Sequence, residues 1–253
     1  MDMMPISSQT LNCRGRLLSL AQPLVMGILN LTPDSFSDGG QHNSRDAALR
    51  HTESMLEAGA DIIDIGGYSS RPGAEDISPA RELERIHDIV GAIIDRFPEA
   101  ILSLDTFRAS VAEALLERGV HLINDISGGL FDPAMLETVA RFDAPYILMH
   151  IQGTPQTMQQ SPTYEDVVRE VLDHLVTRLQ AAQDAGSKDL VIDPGFGFGK
   201  TLNHNYDLFR NLDKFPVLGR PVLVGVSRKS MLYRPFGTGP DDVSELSAAM
   251  HLQ

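Results

Sequence analysis

Hydrophobic and polar positions along the chain form a repeated unit. Three segments share one pattern: EAGADIID at 57–64, ERGVHLIND at 117–125 and DAGSKDLVID at 184–193. In each segment a helical stretch ends at a glycine, and a short apolar run follows that ends in a carboxylate. Glycine just past a helix end adopts the left-handed conformation, and a short β-branched run after it is typical of a strand buried on both faces. The unit is therefore a helix, a tight turn and a parallel strand.

The same pattern predicts seven parallel strands with helices between them. The strands lie near residues 24–30, 61–65, 101–105, 121–124, 145–150, 189–193 and 222–226. Apolar positions recur with amphipathic helical spacing most clearly over 83–97 and 168–182. Ser78-Pro79 and Thr163-x-x-Asp166 are predicted to start these two helices, because caps, first-turn prolines and capping-box pairs occur there.

Loops that lead into the predicted strands are short, whereas several loops that leave them are long. The long loops cover residues 31–43, 66–77, 151–162, 194–202 and 227–241. Long loops inside a compact domain are usually functional, and polar residues also collect at these strand ends. A barrel builds its site there from several strands, whereas a doubly wound sheet uses mainly one crevice. The predicted fold class is α/β, a TIM (β/α)8-type barrel.

The length and composition fit a single domain that contains seven of the eight strand–helix units of a barrel. Apolar residues make up 42% of the chain and charged residues 22%, which is a normal globular balance. We predict a single domain over 1–253, with an N-terminal hairpin or cap at 1–22 and βα units over 23–253. Seven units are readable at spacings of about 33 residues, so the eighth is expected to be missing or truncated.

The net charge and the cysteine count limit which binding partners and which cellular compartment are expected. A net charge of −13 repels nucleic acid and anionic lipid surfaces, so neither is an expected partner. The longest apolar stretch, near 24–31, is far shorter than the roughly 18 residues of a membrane span, and no secretion signal is expected. The single cysteine, Cys13, excludes an intrachain disulfide. These features indicate a reducing cytoplasm.

Two features resemble known signatures without matching them. Residues 195–201 suggest a phosphate-binding loop, but GxxxxGK[ST] requires a glycine where Pro194 stands, and GxGxxG fails at Lys200. A glycine-rich loop that closes over a flat ligand is the favoured interpretation. The histidines show neither HExxH nor paired spacing, so a zinc hydrolase is not indicated. His150, which ends a strand, is either a functional group or a satisfied buried one.

Six motifs occur in order along most of the chain. They are MGILNLTPDSFSDGG (26–40), SSRPGA (69–74), SLDT (103–106), INDIS (123–127), DPGFGFGK (193–200) and SRKS (227–230). Together they resemble the dihydropteroate synthase family. The resemblance implies a (β/α)8 barrel that joins 6-hydroxymethyl-7,8-dihydropterin diphosphate to p-aminobenzoate and releases diphosphate, in folate biosynthesis. It also implies a sulfonamide target.

The resemblance assigns a pterin pocket to residues from several strands and loops. These residues are Asp105, Asn124, Met149, Asp193, Phe198 and Lys229. The amino-pyrimidinone edge of a pterin offers adjacent N–H donors, and a carboxylate accepts such a pair. Asp193 with Asn124 would serve that edge, while Lys229 would donate to ring acceptors. Asp105 would offset positive charge on the pterin, although each aspartate could instead cap a loop.

The resemblance also implies sites for the diphosphate, a metal ion and p-aminobenzoate. The diphosphate residues are Asn30, Ser70 and Arg228, the Mg²⁺ ligands are Asn30 and Asp38, and the p-aminobenzoate residues are Phe36, Arg71, Pro72 and Ser230. Mg²⁺ suits this set because it prefers oxygen ligands and can activate the leaving oxygen. Arg71 joins Asp105 and Lys229 as a candidate catalytic residue. Loop capping and surface charge are the alternatives for Ser70 and Arg228.

Three positions depart from the family pattern. Tyr68 stands where the family has glutamate, and Ser70 stands where it usually has threonine. The family's last strand carries an arginine-x-histidine pair for the diphosphate, and no such pair follows Asp241. We therefore expect a weaker diphosphate site, since a lost preorganised donor reduces stabilisation of the transition state.

Two other functions stay open from the sequence. One is a pterin barrel that moves a methyl group from methyltetrahydrofolate to a corrinoid, although that family lacks the SRKS and TPDSFSDGG pair. The other is a truncated or degenerate barrel that binds pterin without turnover, or a fragment that a partner completes. Seven strands would leave two edges with unpaired backbone groups, which favours a homodimer.

Overall fold

The computed structural model describes residues 10–32, 40–70, 75–237 and 239, with the backbone alone for 40–43 and 236. Within these ranges the strands β1 to β8 are Thr10–Cys13, Arg16–Ser19, Met26–Asn30, Ile62–Gly66, Ile101–Asp105, Leu122–Asp125, Tyr146–Met149 and Leu190–Asp193. The helices α1 to α7 are Gly40–Glu57, Pro79–Arg96, Ala109–Arg118, Met135–Arg141, Val167–Asp184, Leu202–Arg210 and Ser230–Tyr233. Two 3-10 helices cover Leu212–Leu218 and Arg234–Phe236.

Strands β3 to β8 form one parallel sheet in sequence order. A helix connects each strand to the next, so the predicted α/β units are confirmed. The segment 222–226, predicted as the seventh strand, pairs with β8 through one parallel bridge between Ile192 and Val222. Its other residues form no ladder among those described, so this prediction of a full strand is wrong.

The helix ends bear out one predicted cap and correct another. Ser78 caps α2 by accepting a hydrogen bond from the backbone of Arg81, and Pro79 follows it as predicted. The cap of α5 is Asp166, whose side chain accepts from the backbone N–H groups of Val168 and Arg169. Thr163 was expected there, but both its backbone groups bond to the side chain of Gln152, which holds it in the preceding loop.

The two faces of the sheet have different roles. In β4, Ile63 and Ile65 pack toward the helices in the main apolar core. Because side chains alternate along a strand, Ile62, Asp64 and Gly66 face the opposite way, toward the inside of the curved sheet. The inner face is therefore apolar at the start of β4 and polar further along. No helix in the described ranges is long and apolar enough to cross a bilayer.

The hairpin of β1 and β2 covers the amino-terminal end of the sheet. Its Leu11 and Cys13 join one apolar cluster with residues at the starts of the parallel strands and after β8: Met26, Ile62, Ile101, Leu122, Ile147, Val191 and Leu223. Residues from the first and the last strands of the sheet meet in this cluster, so the sheet curves as a TIM-type barrel does. The hairpin closes the amino-terminal end of the curved sheet, and the carboxyl-terminal ends of the strands stay open for a site.

Candidate active site

Polar side chains cluster on the inner face near the carboxyl ends of the strands. The register pairs Gly66 with Asp105 and Asp105 with Asn124, so the ends of β4, β5 and β6 lie side by side. Asp193 ends β8 and is buried. Asp64, two residues before Gly66 in β4, is also buried. The motifs that end β5, β6 and β8, although far apart in sequence, therefore contribute to one end of the sheet.

Asn124 has a fixed orientation that sequence reasoning did not foresee. Its Nδ2 donates to Asp64 Oδ2 at 2.9 Å. Because the amide nitrogen is committed to Asp64, the amide oxygen is the group left to accept hydrogen bonds from a ligand. Asp64 was recognised only as part of a strand. The signal that could have placed it in the site is an acid among isoleucines on the same face as Gly66.

Asp193 is an anion held by the glycine-rich loop. Its Oδ1 accepts from the backbone N–H of Gly195 at 2.7 Å. Burial raises the pKa of Asp193 to about 6, while the Gly195 N–H and the charges of Lys229 and Lys200 act in the opposite direction. The carboxylate is consequently ionised at neutral pH and can accept a pair of N–H donors.

Lys229 lies between the acids and an aromatic ring. Its Nζ is 4.3 Å from the ring centre of Phe198, a cation–π distance. Burial lowers the pKa of Lys229, and the charges of Asp193 and Asp105 raise it. Lys229, Asp193 and Asp105 are thus electrostatic neighbours, as the predicted pocket requires.

Asp105 is in an environment that disfavours its charge. Burial raises the pKa of Asp105 well above its ordinary value, and the charges of Asp64, Glu82 and Asp125 raise it further, while Lys229 opposes them. A ligand that develops positive charge beside Asp105 would therefore favour the ionised carboxylate. This is the electrostatic behaviour expected of a group that offsets a cationic transition state.

One wall of the pocket is apolar and rich in flat side chains. Its buried members are Ile126, Met149, Ile151 and Met158, with Phe107, Phe131 and Phe198 packed against them. Two of these, Met149 and Phe198, are predicted pterin residues. Aromatic rings and polarisable sulfur suit a planar heterocycle.

A small cavity lies beside the ends of β3 and β4. It has a volume of about 90 Å³ and is lined by Asn30, Thr32, Tyr68, Ser69 and Ser70. Every lining side chain carries an oxygen atom, and oxygen donors are what Mg²⁺ prefers. The described residues contain no cluster of three or more acids, histidines or cysteines that could hold a metal alone.

The other predicted residues divide into described and undescribed positions. Ser230 is half-buried as the first residue of α7, and Arg228 is exposed two residues before it, with φ of 53°. The predictions for Phe36, Asp38, Arg71 and Pro72 lie outside the described residues. His150, left open between two roles, is buried with its Nδ1 2.9 Å from Lys200 Nζ, which confirms the satisfied buried group.

Tyr68, the departure from the family glutamate, connects two active-site loops. Its hydroxyl accepts from Gln156 Nε2 at 2.7 Å and donates to Asp76 Oδ1 at 3.3 Å. The Arg108 guanidinium lies 4.9 Å from the centre of its ring. Tyr68 therefore joins the loop after β4 to the loop after β7, a contact that spans 88 residues of sequence.

Comparison with known proteins bears out the resemblance. Residues 26–253 match the family profile of pterin binding enzymes. Dihydropteroate synthase of Escherichia coli K12 is 47% identical over 231 residues, which cover 90% of this chain and 81% of the relative. The Xanthomonas albilineans enzyme with 4-aminobenzoic acid superposes with a TM-score of 0.90 at 42% identity, covering 97% of this chain and 88% of that one. The Yersinia pestis enzyme in a sulfonamide complex gives 0.89 at 45%, covering 96% and 88%.

The fold and the polar pocket at its carboxyl-terminal end define a pterin-binding enzyme, and the chain belongs to that family. The fold is the TIM-barrel type of its structural neighbours. Within the family its function is that of the dihydropteroate synthases. It is a transferase of folate biosynthesis that condenses 6-hydroxymethyl-7,8-dihydropterin diphosphate with p-aminobenzoate to give 7,8-dihydropteroate and diphosphate. The corrinoid methyltransferase alternative is not supported.

Proposed function

We propose that Asp105, Asn124, Asp193 and Lys229 bind the pterin, with Met149 and Phe198 stacked along its faces. The observation that carries this assignment is the Asn124–Asp64 hydrogen bond, because it turns the Asn124 oxygen toward the pocket as an acceptor. Asn124 and Asp193 then offer acceptors for the amino-pyrimidinone edge, and Lys229 offers a donor for a ring acceptor. The set matches the donor and acceptor pattern of a pterin.

The chemical step separates charge, and the residues stabilise both ends. The methylene C–O bond breaks with its electron pair going to diphosphate, a C–N bond forms to the amine, and the amine nitrogen loses one proton. Asp105 faces the methylene side, where positive charge develops, and becomes a better anion as that charge grows. Lys229 and Arg71 are the other proposed catalytic residues, as cations toward the pterin ring and the second substrate.

The diphosphate is proposed to occupy the oxygen-lined cavity, in contact with Asn30, Ser70 and Arg228. Mg²⁺ is the proposed cofactor, held by Asn30 and Asp38 together with diphosphate oxygens. When bound, Mg²⁺ supplies positive charge that stabilises the leaving diphosphate. The lining of the cavity supports this, since every lining side chain carries an oxygen atom that can coordinate Mg²⁺.

The second substrate is proposed to bind between Ser230 and the loops that carry Phe36, Arg71 and Pro72. Ser230 supplies a hydroxyl at the start of α7 for the carboxylate, and Arg71 supplies a cation for the same group. The aromatic and proline side chains would form the slot for the ring. A sulfonamide has the same overall shape and is proposed to compete for this site.

We propose that the protein is a cytoplasmic homodimer. In the described sheet β3 is an edge strand. An open edge with unpaired backbone groups favours pairing with a second copy. Sedimentation equilibrium tests this: a concentration-dependent dimer is expected, and a monomer at all concentrations would contradict it.

The experiment that tests the proposed site is a comparison of pterin binding with turnover in matched variants. Replacing Asp193, Asn124 or Lys229 should weaken pterin affinity in calorimetry, and replacing Asp105 should reduce diphosphate release more than pterin affinity. Met149→Ala should weaken binding without changing its dependence on pH. Unchanged affinity in all the pocket variants would mean that the pterin binds elsewhere.

A further inference from the structure

A buried lysine outside the pocket organises the glycine-rich loop of residues 194–200. Lys200 is 3% exposed, and its Nζ lies 2.9 Å from His150 Nδ1. The same Nζ donates to the carbonyl oxygens of Gly195 at 2.9 Å and Phe198 at 3.0 Å, and its third N–H is shared between His150 Nδ1 and the His150 carbonyl oxygen at 3.3 Å. The loop therefore folds around the ammonium group of Lys200, its last residue, and this group contacts protein atoms rather than a ligand.

Glycines let the loop approach the end of β7 closely enough for these bonds. Gly195 has φ of 72°, and a Cβ there would clash with the His150 carbonyl oxygen. Gly199 has φ of 61°, and a Cβ there would lie 2.5 Å from the Gln152 carbonyl oxygen. The spacing that resembled a phosphate-binding loop thus serves close backbone packing around Lys200.

Both loop residues that Lys200 holds touch the pterin pocket. The N–H of Gly195 donates to Asp193 Oδ1 at 2.7 Å, while its C=O accepts from Lys200. The ring of Phe198 lies under Lys229 Nζ, while its C=O also accepts from Lys200. A displacement of Lys200 would therefore reach Asp193 and Lys229 through one residue each.

The charge of Lys200 acts on the same pocket. The groups that face it are Asp193, Lys229, His150 and His174. Burial lowers the pKa of Lys200 to about 7, so the ammonium form dominates below that pH, where Asp193 with a pKa of about 6 titrates. Burial also lowers the pKa of His150 to about 2 and that of His174 to about 4. Both imidazoles are therefore neutral at neutral pH, which leaves His150 Nδ1 able to accept from the ammonium. Arg178, beside His174, adds to the positive surroundings.

We propose that Lys200 is a positioning residue for pterin binding, which holds Gly195 and Phe198 in place and whose charge keeps Asp193 in its ionised, accepting form. The inference rests on the proposed pterin pocket. It predicts two separable effects of removing Lys200: a weaker complex, and a complex that forms only at higher pH. A lysine that merely stabilised the fold would not produce the second effect.

The test measures the affinity for 6-hydroxymethylpterin by calorimetry between pH 5 and 7.5. Lys200→Met removes the charge and all the donors, whereas Lys200→Gln removes the charge and keeps an amide that can donate. Tyr164→Phe is the matched control, because Tyr164 Oη donates to Gly199 O in the same loop at 2.7 Å without contributing charge at these pH values. Asp193→Asn reports on the pocket itself.

We expect K200M to weaken binding at pH 7 by at least about tenfold, and K200Q by less. In both variants the fall of affinity on acidification should begin at higher pH than in the wild type. Y164F should show a small loss with an unshifted pH profile. Weaker binding with an unshifted profile in both Lys200 variants would overturn the proposal.

Two further outcomes separate this inference from the proposed function. Wild-type affinity in both Lys200 variants, with lost affinity in D193N, would overturn the role of Lys200 and leave the pocket assignment standing. Unchanged affinity in D193N would overturn the pocket assignment itself. Failure of both Lys200 variants to fold, judged by circular dichroism, would also count against the proposal, because Lys200 would then serve the fold rather than the site.

Discussion

Asn124 donates its amide N–H to Asp64 Oδ2 at 2.9 Å, and this bond decides which atom of the amide meets the substrate. Asp64→Ala should release the amide and weaken pterin affinity by about 1.5 to 3 kcal/mol, the usual worth of a hydrogen bond to a charged group. Asp64→Asn is the matched control, since its side-chain oxygen can still accept from Asn124. Calorimetry that finds equal losses in the two variants would show that orientation is not the role of Asp64.

Asp193 should make pterin binding depend on pH. Because burial raises its pKa to about 6, the carboxylate is protonated as the pH falls through that value and loses its capacity to accept two N–H donors. The affinity for pterin should therefore fall below pH 6, and Asp193→Asn should weaken it by about 1.5 to 3 kcal/mol at pH 7.5 and flatten the profile. A wild-type affinity that is constant from pH 5 to 7.5 would refute this assignment.

We predict that p-aminobenzoate binds after the pterin diphosphate, because its proposed contacts are mainly loop residues. Phe36, Arg71 and Pro72 are proposed to contact it, and in the sequence they belong to the segments that follow β3 and β4. The acid should therefore bind weakly to the free protein and tightly once diphosphate, Mg²⁺ and a pterin are present. Titrations of p-aminobenzoate with and without these three components check this. Equal affinities would exclude assembly of the site by the first substrate.

Arg108 is predicted to matter for stability through a buried ion pair. Its Nη1 donates to Glu82 Oε2 at 2.6 Å, and Glu82 is fully buried. Arg108→Met should lower the free energy of unfolding by about 3 to 5 kcal/mol, because it leaves an unpaired buried acid. The double variant Glu82→Leu, Arg108→Met should recover much of that loss in urea unfolding. A double variant as unstable as the single one would point to the ring contacts of Arg108 instead.

Local patterns were sufficient for most of the elements. The glycines at 59, 119 and 186 all have positive φ, because a helix that turns directly into a strand requires that conformation. The inner and outer faces of each strand also follow from alternation alone. The start of α5 was missed because Asp166 and Thr163 are both good caps, and the contact that removes Thr163 comes from Gln152 in another turn of the loop.

The parts of the site that could not be predicted depend on contacts between distant segments. Tyr68 connects two loops through its hydrogen bond with Gln156, and no local pattern links those positions. Lys200 was weighed as a phosphate ligand, and its burial against His150 follows only from the packing of the loop on β7. Met149, Asp193 and Lys229 come from different segments, and their proximity depends on the curvature of the whole sheet.

The most direct test of the account is a steady-state assay that follows diphosphate and 7,8-dihydropteroate together, with pterin binding measured on the same preparation. We expect both products in equal amounts, formed only when the pterin diphosphate and p-aminobenzoate are both present, and a loss of turnover in Asp105→Asn with pterin affinity largely retained. Pterin diphosphate that binds with normal affinity but releases no diphosphate in the presence of p-aminobenzoate would contradict the account.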